Sequence, residues 1–336
     1  MIESKNFHKK STIQLPAILV SIVVISFLFF GCEKEIDVEL PDVESRIVVD
    51  GQIENGKAPI VLLTRSQGYF EPTDLQALQD IFIQGAKVSV KHNGQTDTLV
   101  EVCSSSLPPQ LLEQLSEQTG FSPEALQQID ICGYTSFTFV GETNTVYDLK
   151  VEVGEEVLTS STKINNLVEL DSLWFEIAGE ADSLGFLWAE ITDPDTLGNA
   201  YRWFAKRIND YPAWSENAGE QKDQSYIAPI GSAYDDQFYN GLSFEFAYYR
   251  GVATNSGKPD DQNEERGYYK LGDTVAVRGC HIDRGVFRFV QSFETNVSQA
   301  GSPFASPANV DSNIEGGLGV WAGYAAAYDT VVCVPQ

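Results

Sequence analysis

The chain has 336 residues, of which 48 are Asp or Glu and 22 are Lys or Arg, giving a formal charge of −26. A field of that sign repels phosphate backbones and anionic headgroups, so nucleic acid is excluded as an expected partner and membrane attachment through a basic patch is not expected. Abundant Tyr, Phe, Val and Thr with 27 Gly favour β-structure, and the length suits two domains.

Residues 1–31 carry Lys5, Lys9 and Lys10, then the apolar run Ile18–Phe30, then Gly31. A basic start, an apolar core and a small residue before Cys32 predict a lipoprotein signal peptide, after whose removal Cys32 carries acyl chains. Such chains anchor at about 0.8 kcal/mol per buried methylene. The competing reading is an uncleaved span, because Ile13 to Phe30 is just long enough to cross a bilayer. Gln14 and Pro16 shorten its apolar part. Residues 32–44, with Glu33, Glu35, Asp37 and Glu39, are expected to form an extended acidic tether. This stretch resembles the export signal that follows the lipidated cysteine in Bacteroidota lipoproteins. The resemblance implies an outer-membrane location facing the cell exterior.

Residues 45–165 read as an immunoglobulin-like β-sandwich with helical insertions at 73–82 and 104–131. Strands are predicted at 46–53, 59–64, 86–91, 98–103, 134–140, 145–153 and 157–162. Asn55-Gly56 and Asn93-Gly94 supply tight turns. Thr73 is placed to cap the first helix. Pro109 opens one helix of the second insertion, and Ser122-Pro123-Glu124 caps and starts another. The insertion is either a packed decoration or a partner-contact surface.

Residues 166–336 read as a second antiparallel β domain, a sandwich or an open barrel, so the expected class is all-β throughout. Strands are predicted at 170–177, 186–191, 201–208, 242–249, 273–282, 286–293 and 328–334. Two long loops, Asp210–Asn240 and Gly251–Gly267, are candidate contact surfaces. The Gly-rich run Ser312–Gly319 lacks the Lys-Ser/Thr of a phosphate loop and predicts a sharp bend or bulge instead.

Beyond Cys32, four cysteines remain: Cys103, Cys132, Cys280 and Cys333. In an exported chain they read as two disulfides with three pairings open, Cys103–Cys132 and Cys280–Cys333 being the simplest. Only His92 and His281 lie outside the signal, and neither belongs to a catalytic motif, so no enzymatic activity is expected. Paired carboxylates keep an acid-based hydrolase as a third-ranked reading. Asp193, Asp195, Asp235 and Asp236 are candidate calcium ligands, although Asp-Pro and Asn-Gly are also ordinary turn formers. Without calcium, no cofactor is expected. Aromatics gather at Tyr201, Trp203, Phe204, Tyr211 and Trp214. Alternation assigns Tyr201, Trp203 and Ala205 to the core, which leaves Tyr211 and Trp214 as candidate ligand-stacking residues.

Several segments resemble a Bacteroidota lipoprotein family, domain-of-unknown-function 4249. They are Val48-Val49-Asp50-Gly51, Gly85-Ala86-Lys87-Val88, Thr192-Asp193-Pro194 through Asn199-Ala200-Tyr201-Arg202, and Asp236-Gln237 with Asn240-Gly241. The last is Pro303–Pro307 followed by Ser312–Tyr324. Ala200 stands where that pattern carries a tyrosine. The resemblance implies an outer-membrane lipoprotein commonly encoded beside TonB-dependent receptors, hence a cargo-binding or capping subunit of such a β-barrel. It supplies no catalytic residues. A structural or adhesive surface lipoprotein with no transporter is the alternative.

Overall fold

The computed structural model describes residues 44–335 except 69–74, 111, 114–115, 117–121, 129–130, 180, 210–221, 253–260 and 300–308. Cys32 and its tether therefore lie outside the described residues, as do Thr73, Tyr211 and Trp214. Among the described residues, no helix is long and apolar enough to cross a membrane. Among the described residues, strands make up 47% and helices 14%, in several antiparallel sheets with no closed barrel, so the fold is an all-β sandwich.

In chain order the strands are β1 (Ile47–Glu54), β2 (Ile60–Arg65), β3 (Lys87–His92), β4 (Gln95–Thr98), β5 (Val100–Cys103), β6 (Cys132–Thr135), β7 (Thr145–Val153) and β8 (Glu156–Ile164). They continue with β9 (Ser172–Ile177), β10 (Leu184–Thr192), β11 (Ala200–Arg207), β12 (Ala233–Asp235), β13 (Ser243–Tyr248), β14 (Tyr269–Lys270), β15 (Thr274–Ile282) and β16 (Leu318–Val332). The α-helices with described bounds are α1 (Leu75–Asp80), α2 (Pro123–Gln128) and α3 (Arg284–Gln299).

One eight-stranded sheet, ordered β12-β11-β15-β16-β1-β2-β6-β5, takes strands from both sides of residue 165. The two expected domains thus share a sheet, and residues Glu44 to Gln336 form one compact unit. The long last strand causes this. Its first half pairs in parallel with β1, from Leu318 opposite Val48 to Tyr324 opposite Glu54. Its second half pairs antiparallel with β15, from Tyr324 opposite Ile282 to Val332 opposite Thr274. Fifteen residues of strand reach roughly 50 Å, enough to run from one half to the other.

Side chains on a strand alternate between faces, and the large sheet uses both. One face packs on two small sheets. Against β4-β3-β7-β8 it buries Ile47, Val49, Val61, Leu63 and Trp321, which meet Val88, Val90, Leu149, Val151 and Leu158. The Trp321 indole donates to the Tyr147 carbonyl at 2.9 Å across that interface. Against the sheet of β13, β10, β14 and β9 it buries Trp203, Ala205, Val275 and Val277, with Phe175, Leu187 and Ala189 opposite. The other face carries α3 over Cys280, Ile282, Val320 and Ala322. It also carries the 104–131 insertion, whose Leu112, Leu126 and Ile131 close over Leu62. The described part of that insertion therefore packs on the sheet through these side chains. Ser122 caps α2 as its sequence predicts, its Oγ accepting from Ala125 N at 3.1 Å.

The expected strand at 286–293 is instead part of helix α3. Asp283 Oδ1 caps it by accepting from Val286 N at 2.9 Å, and Val286, Phe287 and Val290 bury one helical arc. The β-branched and aromatic composition of the segment obeys a tertiary docking surface rather than local propensity. The expected strand at 98–103 divides at Leu99: β4 pairs with β3 in the small sheet and β5 with β6 in the large one. The Gly-rich run does bend. At Gly319 φ is 103° and a Cβ would lie 2.0 Å from the Val49 carbonyl oxygen, so the parallel pairing with β1 requires glycine there. Gly51, in the Val48–Gly51 segment, likewise leaves room for Trp321, whose ring would stand 2.7 Å from a Cβ.

Cys103 and Cys132 face each other on β5 and β6 and form a disulfide. The expected Cys280–Cys333 bond does not form, and both are buried free thiols. Cys280 stands opposite Ala326, seven positions before Cys333 along the chain, so the two sulfurs are roughly 20 Å apart in strand register and sit in different core clusters.

Candidate functional site

The four candidate calcium ligands meet where the loop after β10 passes the turn after β12. Asp193, 2% exposed, accepts from the Tyr201 hydroxyl and from Asn199 Nδ2 (3.3 Å) on one oxygen and from Gly241 N (3.1 Å) on the other. Asp236 Oδ2 accepts from Gly198 N (2.7 Å) and Asn199 N (2.8 Å). Asp195 accepts from Asn240 at 3.4 Å, and Asp235 pairs with Arg284 at 2.7 Å. Burial and the Asp193 carboxylate push the Tyr201 hydroxyl well above its ordinary range, which keeps it a donor. The aspartates thus clamp two loops together through peptide and side-chain donors. Among the described residues, no three His, Cys, Asp or Glu side chains converge as metal ligands.

The two long loops are pinned at their described ends by buried ion pairs. Arg207 holds Asp223 through two nitrogens (Nη2–Oδ1 2.8 Å, Nε–Oδ2 3.0 Å), and Arg250 holds Asp261. Tyr201, Trp203 and Ala205 lie in the core at 2% exposure each, as their alternation predicts. His92 pairs with Asp97 at 3.0 Å and stacks on Phe139. His281 meets the Asn166 carbonyl at 2.9 Å, and burial lowers its pKa.

The opposite face of β11 forms a patch that sequence reasoning missed. Arg202, Phe204 and Lys206 on β11 align with Arg278 and Cys280 on β15, Tyr324 and Tyr328 on β16, and Asp50 and Glu54 on β1. Glu54 is its anchor. It is 6% exposed and binds Arg278 Nη2 at 2.5 Å, Lys57 Nζ at 3.0 Å and the Tyr328 hydroxyl. The Arg278 guanidinium carbon lies 4.6 Å from the Phe204 ring centre and 4.7 Å from that of Tyr324. The Arg202 guanidinium carbon lies 4.8 Å from Phe204. Lys206 Nζ lies over Tyr226, which meets Tyr328 edge-on.

The electrostatics of this face differ from those of the chain. Among the described residues, four cations, Lys57, Arg202, Lys206 and Arg278, stand with two carboxylates, Asp50 and Glu54, in a chain of charge −26. Asp50 is open to solvent although protein crowds most of its surroundings. The crowding raises its carboxyl above the ordinary range, with Arg202 pulling the other way. Burial pushes the Cys280 thiol up to about 11 despite the adjacent Arg278 guanidinium, so it stays a thiol. Neither Arg202 Nε nor Arg278 Nε has a hydrogen-bond partner among the described residues. Guanidiniums laid on aromatic rings keep their edges available for planar acceptors. The signal was present in the sequence: once Tyr201, Trp203 and Ala205 face the core, Arg202, Phe204 and Lys206 must share the other face. Their partners on β1, β15 and β16 needed the register.

The sequence matches the family described as Domain of unknown function (DUF4249) over residues 33–329. The chain belongs to that family. The segments through which it resembles DUF4249 do identifiable work here: residues 192–202 and 236–241 build the aspartate clamp, and 312–324 enters β16. No curated protein matches the sequence. Among solved structures, the cycloalternan-degrading enzyme from Trueperella pyogenes in complex with cycloalternan is similar at 10% identity and a TM-score of 0.22. The match covers 84% of this chain and 34% of that enzyme, too distant a likeness to inform fold or function.

Proposed function

We propose that this DUF4249 protein is a non-catalytic binding subunit, lipid-anchored at Cys32 on the exterior of the outer membrane. In this reading it serves a TonB-dependent β-barrel by binding its cargo or capping its pore. The observation that carries the binding role is the Arg202–Arg278 face of the large sheet: a mixed cationic and aromatic surface, rigidly held from below by two sheet-on-sheet cores. The Gly31–Cys32 junction and the acidic residues after it support the anchor. Membership in DUF4249 supports the transporter setting only through what the resemblance implies.

Purification from native membranes in mild detergent tests the role. A large β-barrel is expected to accompany the wild-type protein, and the Cys32→Ala variant is expected to leave the membrane fraction. Recovery of the protein alone, in detergent that preserves other barrel complexes, removes the transporter and leaves a structural or adhesive surface protein. Added protease should cleave it on intact cells; resistance there, with the purified protein cleaved, overturns outward exposure.

A further inference from the structure

Resting on the reading of this face as a binding surface, we infer that Arg202 receives an oxyanionic group, a carboxylate or a phosphate, carried by the bound cargo. The strongly buried arginines have carboxylate partners: Arg207 has Asp223, Arg250 has Asp261 and Arg278 has Glu54. Arg202, which is partly buried, has none. Among the described residues its guanidinium has no ion pair and no hydrogen bond. Its neighbours are the Phe204 ring and Asp50, whose field reaches it without forming a pair. Its Nε is sealed from solvent without a partner, while the residue as a whole is only partly buried.

A partly buried guanidinium whose Nε has lost water without gaining a partner is under-satisfied, and an incoming oxyanion would answer its charge. The planar guanidinium fork matches carboxylate and phosphate oxygens in a bidentate pair. Arg278 lies against the same Phe204 ring, its own Nε buried and unbonded, so the two guanidiniums share one aromatic support. The cations of this face outnumber its described carboxylates, which makes the surroundings of Arg202 less repellent to anions than the rest of the chain. A cationic cargo would meet more positive than negative groups here, and a neutral one would leave the Arg202 charge unanswered.

The test follows the arginine Nε–H resonances of the isotope-labelled full chain in detergent. It is titrated with benzoate and, separately, with inorganic phosphate, at ionic strength held constant with chloride. Saturable shifts at Arg202 and Arg278 are expected. A response to benzoate alone identifies carboxylate as the source, a response to phosphate alone identifies phosphate, and a response to both a general oxyanion site. Arg202→Gln should weaken the Arg278 response by about tenfold or more. Its melting temperature should equal or exceed that of the wild type, because no native ion pair is lost. Arg207→Gln, which breaks a buried pair, should melt lower. The inference is overturned if neither anion gives a saturable shift, if chloride gives the same one, or if Arg202→Gln binds as wild type. It is also overturned if Arg202→Gln melts as low as Arg207→Gln. Loss of anion binding with barrel co-purification intact overturns this inference alone. Anion binding without a barrel supports it and removes only the transporter reading.

Discussion

Replacing Glu54 by alanine should be among the most damaging single changes on the face of the large sheet. Glu54 Oε2 holds Arg278 at 2.5 Å, with the two side chains 7% and 10% exposed. Removing the carboxylate strands a guanidinium that the sheet, Phe204 and Tyr324 keep out of water. Breaking a buried pair from one side costs about 3–5 kcal/mol. The other two partners add little: the Lys57 side chain is 44% exposed and Tyr328 48% exposed, so each contact contributes well under about 1 kcal/mol. For a chain of this size the loss corresponds to a fall in melting temperature of roughly 10 °C. Scanning calorimetry of wild type, Glu54→Ala, Arg278→Met and the double variant measures it. The double variant should recover most of the loss, because an apolar side chain replaces the stranded charge. A fall of less than about 2 °C for Glu54→Ala, or no recovery in the double variant, would refute the assignment of Glu54 as the buried counter-ion.

Thiol alkylation of the denatured, unreduced protein should label Cys280 and Cys333, with Cys103 and Cys132 reacting only after reduction; protection of the first two would restore the second disulfide. Reducing Cys103–Cys132, which are 29 residues apart, should destabilise the fold by about 3–4 kcal/mol through loop closure, read from denaturant midpoints. Asp193→Asn should replace an acceptor of the Gly241 N–H with a side chain that presents a donor or a weaker acceptor. The expected cost is about 1–3 kcal/mol, with faster amide exchange confined to 193–199 and 235–241; uniform exchange would contradict the clamp. Burial holds the folded pKa of His281 below its ordinary 6.5, so the unfolded chain takes up a proton that the folded chain refuses. Stability should therefore fall as pH drops below about 6.5 and level off below the folded pKa. His281→Gln should flatten that part of the melting-temperature profile, and an unchanged slope would assign it to other groups.

Local patterns made much of the fold legible. Alternation located β3 and the buried face of β11, because a strand with one buried face has a period of two in its side chains, and β-rich runs between turn residues located β1, β7, β8, β10 and β15. Asn-Gly turns, the Ser122 cap and the bend at Gly319 were readable for the same reason: each is decided by a few adjacent residues. The helix at 284–299 was not, since Val286, Phe287 and Val290 suit either a strand or a helix until the surface they bury against is known. The second disulfide failed on distance, a quantity that counting cysteines does not contain.

By itself, the sequence determined the β class, the core face of β11 and the expectation of a lipid-bearing Cys32. Tertiary structure decided that the two halves share one sheet, because that depends on which neighbours the fifteen residues of β16 find on each side. It also decided the cation-aromatic patch. Arg202, Arg278, Tyr328 and Glu54 come from four strands far apart in the chain, and only strand order and register bring them to one face.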